Sequence, residues 1–197
     1  MSDAGIVVVL DGPAQVGRTS TLRGLQAAWP RVRTGPLLEV GLDAAVASFG
    51  PTAGRWVELV LPQITDEVDD DGAVQRRARF GPLGRELVPA MHRAAAAWAI
   101  GGFDVALDHA QLDRAISADL EEALAGLLVF HVRLTCDPDV LEDRELDAGV
   151  TPPGTAVAQL NAMRDLPPRD LELDTSETST DELVEVILAE VARRLRR

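Results

Sequence analysis

Apolar and polar positions along this chain switch repeatedly between two patterns, and the switching predicts an ordered series of strands and helices. Five short, strand-like and largely apolar runs lie at 6–10, 37–42, 103–107, 127–134 and 171–173, the first of them apolar throughout as in a strand buried on both faces. Helical spacing fills the intervals at 20–28, 82–100, 113–125, 138–148 and 180–196. In the last of these, Leu183, Ile187, Val191 and Leu195 recur at i, i+4 and form an apolar stripe to lie on the sheet. The basic end of that helix (Arg193, Arg194, Arg196, Arg197) suits the negative pole of the helix dipole and needs no nucleic acid to explain it. Strands alternating with helices predict a doubly wound α/β protein with a parallel sheet.

The pattern breaks between Asp43 and Gly81. Asp66-Glu67-Val68-Asp69-Asp70-Asp71-Gly72 reads as a turn between two short edge strands. Its acids superficially match a calcium loop, but the twelfth position of such a loop falls on Ala78 where a bidentate Glu is required. Arg76, Arg77 and Arg79 beyond it read as a solvated strand face, with a place in a substrate pocket as the alternative.

The first strand runs directly into Gly12-Pro13-Ala14-Gln15-Val16-Gly17-Arg18-Thr19, followed by the helix that opens at Ser20. This is the phosphate-cradling pattern G-x-x-x-x-G-K-[ST] at every fixed position but one, in the strand–loop–helix context the pattern needs. Glycines at 12 and 17 let successive N–H groups converge on a phosphate, and the helix N-terminus adds partial positive charge. Thr19 supplies the hydroxyl for Mg²⁺, so Gly12, Gln15, Val16, Gly17, Arg18, Thr19 and Ser20 are the expected nucleotide-phosphate contacts. Arg18 stands where lysine belongs. Its fork is longer and planar, and the exchange is not conservative at a tight site. The chain holds 19 basic residues, every one an arginine, so Arg18 also fits a chain-wide exchange of Lys for Arg.

Composition narrows the class. A chain of 197 residues, 46% hydrophobic, suits one domain with a proper core, here 1–197. A net charge of −13 argues against nucleic-acid and anionic-membrane partners. The single Cys136 excludes an internal disulfide and suits a small buried residue in a reducing compartment. With no long apolar run and no leader-like start, the expectation is a cytoplasmic protein. Trp29, Trp56 and Trp98 are expected in the core or a pocket wall.

Ligands of open α/β sheets bind beyond the carboxyl ends of the strands. Asp11, Asp43, Asp108 (with His109 behind it) and Asp174-Thr175 stand at such ends. Asp43, beside the loop, is the candidate general base for a substrate hydroxyl, with a helix N-cap as the alternative. Asp108 is the candidate Mg²⁺ or substrate acid, with a cap or loop-stabilising role as the alternative. His109 is a candidate substrate contact or polar filling.

With these pieces in order, the chain resembles the chloramphenicol phosphotransferase-like family of P-loop kinases. The resemblance rests on the loop 12–19, Val40-Gly41-Leu42-Asp43, Gly81-Pro82 before an alanine-rich helix, Gly101-Gly102-Phe103-Asp104-Val105-Ala106-Leu107-Asp108, Val132-Arg133-Leu134-Thr135-Cys136-Asp137, Arg144-Glu145, and Asp170-Leu171-Glu172-Leu173-Asp174-Thr175-Ser176. It implies a P-loop kinase-like three-layer α/β/α fold with a five-stranded parallel sheet of order 2-3-1-4-5. It also implies ATP and Mg²⁺ as cofactors and O-phosphorylation of an antibiotic-like small molecule. Asp43 matches the family's base, Thr175 and Ser176 its adenine loop, and Arg144 the first lid arginine. A substrate-binding insertion at about 44–85, with Arg85 as a candidate substrate contact, and a lid at about 144–164 follow from the same match. The lid departs from the family's Arg-Glu-x-x-Arg-x-x-Arg pattern, for only Arg144 remains, with Arg164 and Arg169 as candidates to fold back, and Pro152-Pro153 stiffen it. Two other readings stay open: a binding protein that keeps the pocket without phosphoryl transfer, and a repurposed enzyme of natural-product biosynthesis. Acceptor and oligomeric state are open in every reading.

Overall fold

The computed structural model describes residues 4–68 and 72–196. Its elements run β1 (Ile6–Asp11), α1 (Arg18–Ala28), β2 (Leu37–Gly41), α2 (Leu42–Ala47), α3 (Ala53–Val60), β3 (Pro62–Val68), β4 (Val74–Phe80), α4 (Pro82–Ile100), β5 (Asp104–Asp108), α5 (Arg114–Ala123), β6 (Leu128–Thr135), α6 (Pro138–Ala148), α7 (Thr155–Met163), β7 (Leu171–Asp174) and α8 (Thr180–Leu195). Strands β2-β5-β1-β6-β7 form one parallel sheet, which is the expected order 2-3-1-4-5 once the separate antiparallel hairpin β3-β4 is set aside.

Strand β1 is buried at every position and lies at the centre of the sheet. Ile6, Val8 and Leu10 enter a core with Leu22, Leu25 and Trp29 of the first helical stretch and Val184, Ile187 and Val191 of α8. Val7 and Val9 face the opposite layer, with Met91, Ala95 and Ala99 of α4 and Leu120 of α5. Each fully buried aliphatic side chain contributes roughly 1.5–3 kcal/mol, so a strand apolar on both faces has one stable place, in the middle. Helix α8 starts at a capping box: Ser179 accepts from the Glu182 amide, and the Glu182 carboxylate accepts from the Ser179 amide at 3.0 Å.

The interval 43–81, where the periodicity failed, contains α2, α3 and the hairpin. The expected edge strands are there, paired from Pro62–Phe80 to Val68–Val74, while Asp69, Asp70 and Asp71 of the proposed turn lie outside the described residues. A third apolar cluster explains the hairpin: Ala78 and Phe80 pack on Ala158, Ala162 and Met163 of α7 and on Leu112 and Ile116. Helix α7 carries no amphipathic pattern to predict it from, because Thr155, Ala156, Ala158, Gln159, Ala162 and Met163 are all buried and little of its surface is left for a polar face. Of the tryptophans, Trp29 is fully buried and donates Nε1–H to Asp104 Oδ2 at 3.0 Å. Trp56 and Trp98 are 40% and 43% exposed, against expectation, because both lie on the outer faces of their helices. Cys136 is buried, as expected. Among the described residues no helix is long and apolar enough to cross a membrane.

Candidate functional site

Register brings the candidate acids to one edge. Gly41 and Leu10 both pair with Asp108, and Asp11 pairs with Arg133, so the carboxyl ends of β2, β5, β1 and β6 are level. The chain leaving β1 there forms the phosphate loop. Gly12 has no room for a side chain, since a Cβ would lie 2.8 Å from the Leu134 carbonyl, and Gly17 has φ 96°, a left-handed conformation that L side chains avoid. Gln15 takes φ 61° at the crest, an unfavourable backbone state for a non-glycine residue, costing on the order of 1 kcal/mol or more. Val16 turns into the core, so only its backbone serves the loop. Helix α1 begins with no side-chain cap, which leaves its N-terminal amides for an anion.

A cleft of about 1060 Å³ opens over the loop. It brings together Gln15, Gly17, Arg18, Thr19, Ser20, Asp43, Asp108, His109 and Arg144 of the expected site, and adds Glu39, Phe80 and Gln159. Asp43 lies exposed in the first turn of α2, whose N-cap is Gly41, so the cap alternative for Asp43 does not apply. Arg18 folds across its own loop: NH1 donates to the Gly12 carbonyl at 2.7 Å, and Nε lies 3.0 Å from Asp108 Oδ1. Burial pushes the Asp108 carboxyl up, Arg18 opposes this, and Asp43 adds to it. Glu39 is also raised, first by burial and then by Asp108. Mutually repelling carboxylates thus rim the loop, with Arg18 as the counter-charge of Asp108 and Arg23 that of Glu39.

Other expected residues fall elsewhere. Asp11 is fully buried behind the loop, where Oδ1 accepts from the Gln111 amide at 3.0 Å and Oδ2 from Arg133 NH2 at 3.2 Å. Arg169 does not reach the cleft: it is bonded to Gln111 Oε1 at 2.6 Å and Ser117 Oγ at 2.9 Å, with Nε 3.7 Å from Asp11. Arg164 does not line the cleft. Arg85 donates to the Phe80 carbonyl at 3.2 Å, outside the cleft lining. Thr175 is buried, its carbonyl accepting from Arg144 at 2.7 Å, while Ser176 Oγ accepts from the Asp137 amide at 2.9 Å.

His109 is wedged between elements. Its Nε2 meets His92 Nε2 at 3.0 Å, its Nδ1 lies 3.0 Å from the Ala110 carbonyl, and His92 Nδ1 lies 2.6 Å from Asp119 Oδ2. A carbonyl only accepts, so a hydrogen is on His109 Nδ1. Burial pulls the His92 pKa down, and the Asp119 carboxylate beside its Nδ1 opposes this.

The segment between α6 and α7, which falls in the expected lid, is stapled by Glu145, in sequence only the neighbour of Arg144. Its buried carboxylate accepts from Thr151 Oγ1 at 2.9 Å, the Gly154 amide at 2.5 Å and the Ala156 amide at 2.9 Å. This caps α7 and sets Gln159 over the loop, where Oε1 accepts from the Ala14 amide at 2.8 Å. Nothing in the sequence announced Gln159, since its role depends on where α7 packs.

Solved structures with this architecture include a gluconokinase from Sinorhizobium meliloti 1021 (20% identity, TM-score 0.63, covering 100% of this chain and 98% of that one). The Mycobacterium tuberculosis APS kinase CysC, in complex with AMPPNP and APS, aligns at 16% identity and TM-score 0.63 over 95% and 98% of the two chains. The Deinococcus radiodurans tunicamycin resistance protein aligns at 19% identity and TM-score 0.62 over 95% of each. At these identities the likeness shows the fold, that of P-loop kinases. The search of curated proteins gives no match. The family model for chloramphenicol phosphotransferase-like proteins matches residues 5–192, nearly the whole chain. With its phosphate loop, sheet order and row of strand-end acids, this chain belongs to the chloramphenicol phosphotransferase-like family.

Proposed function

We propose that the protein is an ATP-dependent O-phosphotransferase acting on a hydroxyl of an antibiotic-like or natural-product small molecule. The observation that carries this reading is the placement of Asp43, exposed and facing the same cleft as the phosphate loop. Asp43 accepts the hydroxyl proton as the oxygen attacks the γ-phosphorus, and the bond to the leaving ADP oxygen breaks. The loop amides and the α1 N-terminus hold the phosphates, and Arg18 supplies positive charge beside them. Arg144, held on Thr175, forms the end of the cleft where the nucleoside lies. His109 and Asp108 flank the acceptor.

Mg²⁺ is usually held by one or two carboxylates together with substrate phosphates, so the Thr19 hydroxyl and Asp108 in this cleft fit it. Bound there, the ion neutralises charge on the phosphates. Arg18 must share or yield Asp108 for this to happen, which favours a second reading, nucleotide binding without transfer.

The test is ADP release on ATP and Mg²⁺ with a panel of hydroxylated natural products, run beside calorimetric titration of ATP. Binding with acceptor-dependent ADP release supports the transferase; binding without release over the panel supports the second reading. No nucleotide binding at all removes both.

A further inference from the structure

One of the loop's own amides is already taken. Ala14 is the third residue of the loop, and its N–H is held by Gln159 Oε1 at 2.8 Å. Gln159 is 5% exposed and sits on α7, which Glu145 caps at one end and whose Asn161 Nδ2 donates to the Arg76 carbonyl at 3.1 Å. The side chain is therefore placed by a rigid frame. At the other end of the loop, α1 opens on Gly17 with no capping side chain, so its amides stay available. The loop thus presents an open end at the helix and an end occupied by a carbonyl oxygen. A carbonyl oxygen and a phosphate oxygen are both acceptors, and one N–H cannot serve both fully.

We propose that Gln159 is the residue by which this site distinguishes a nucleoside triphosphate from a diphosphate: a terminal phosphate competes with the Gln159 carbonyl for the Ala14 amide, whereas the inner phosphates bind the open end. This rests on the nucleotide-binding reading above. The inner phosphates meet uncapped helix amides and no competitor, while the terminal phosphate must displace a formed hydrogen bond. That bond is worth roughly 0.5–1.5 kcal/mol, about two- to tenfold in affinity. The effect therefore falls on ATP and spares ADP.

The experiment titrates ATP and ADP calorimetrically into wild type, Gln159→Met and Gln159→Glu. Methionine keeps length and packing but removes the competing acceptor; glutamate puts an anion on the amide. The expected result is an ATP affinity raised about two- to tenfold in Gln159→Met and lowered at least tenfold in Gln159→Glu, with ADP affinity changed less than twofold in Gln159→Met. Weaker ATP binding by Gln159→Met, or equal changes for ATP and ADP, overturns the inference while leaving nucleotide binding intact. A wild type that binds neither nucleotide overturns the underlying reading and this inference with it. Should Gln159→Met fail to fold, the direction of the Gln159→Glu effect on ATP against ADP still decides.

Discussion

Arg18 lies on Asp108, Nε to Oδ1 at 3.0 Å, while the other arm of its guanidinium holds the Gly12 carbonyl at 2.7 Å. The forked group ties the start of the phosphate loop to the acid at the end of β5. A lysine at this position offers one compact ammonium and cannot span the two in the same way. Arg18→Lys is therefore expected to free Asp108 and raise the Mg²⁺-dependent affinity for ATP, whereas Arg18→Met lowers it about tenfold by removing the charge. Calorimetry with and without Mg²⁺ checks this; a lower ATP affinity in Arg18→Lys would show that the guanidinium itself is the phosphate ligand.

Asp43 is exposed in the cleft and its side chain supports no part of the fold. Asp43→Asn should reduce kcat by about 10²–10⁴-fold while stability stays within about 0.5 kcal/mol of wild type. Steady-state kinetics and urea melts read the two quantities. A variant that keeps its rate would remove Asp43 as the base.

Glu145 collects three hydrogen bonds, from Thr151, Gly154 and Ala156, across the α6–α7 connection and the start of α7. Glu145→Ala leaves two backbone amides without their charged acceptor, and a loss of about 2–4 kcal/mol is expected. Hydrogen exchange should rise first in residues 149–158. Uniform exchange across the chain would mean that the staple stabilises the whole fold and not this segment.

Burial pushes His109 and His131 down to about 3. His131 Nε2 faces Gln111 Nε2 at 3.2 Å, and the amide nitrogen is a donor, so the imidazole must stay neutral to accept. Below the unfolded value near 6.5 the unfolded chain takes up protons that the fold refuses until about pH 3, so stability falls as pH falls through that window. Between pH 7 and pH 5 each histidine costs about 2 kcal/mol on this basis. Asp11, Asp108 and Glu39, all raised, act in the opposite direction, so the clean measurement is a difference. His131→Gln should narrow the loss of stability between pH 7 and pH 5, read by urea melts at both values. A loss as large as that of wild type would show His131 to be free to protonate in the fold.

Much of the framework was legible in the residues. The apolar runs marked all five sheet strands, and the loop 12–19 marked where phosphate chemistry would sit, because both are local patterns. Placement by register followed from them: once β5 lies beside β1 and β2, Asp108 and Asp43 share an edge. Helices α2 and α3 were not legible, being only six and eight residues long, nor was α7, which is buried over most of its surface and packs on the hairpin cluster.

What the sequence determined by itself, then, was a parallel α/β sheet with a phosphate loop and a row of acids at its carboxyl edge. Hydrophobic period and glycine placement are properties of neighbouring residues, so they survive without a structure. Only the tertiary structure decided which polar groups meet. It put Asp11 into the core with Arg133, turned Arg169 away from the cleft, laid Arg18 on Asp108 and set Gln159 on Ala14. The last contact joins residues 145 positions apart in the chain. The physical reason is that polar partners are chosen by burial, where an unpaired group costs about 1–3 kcal/mol, and burial is known only when the layers have closed.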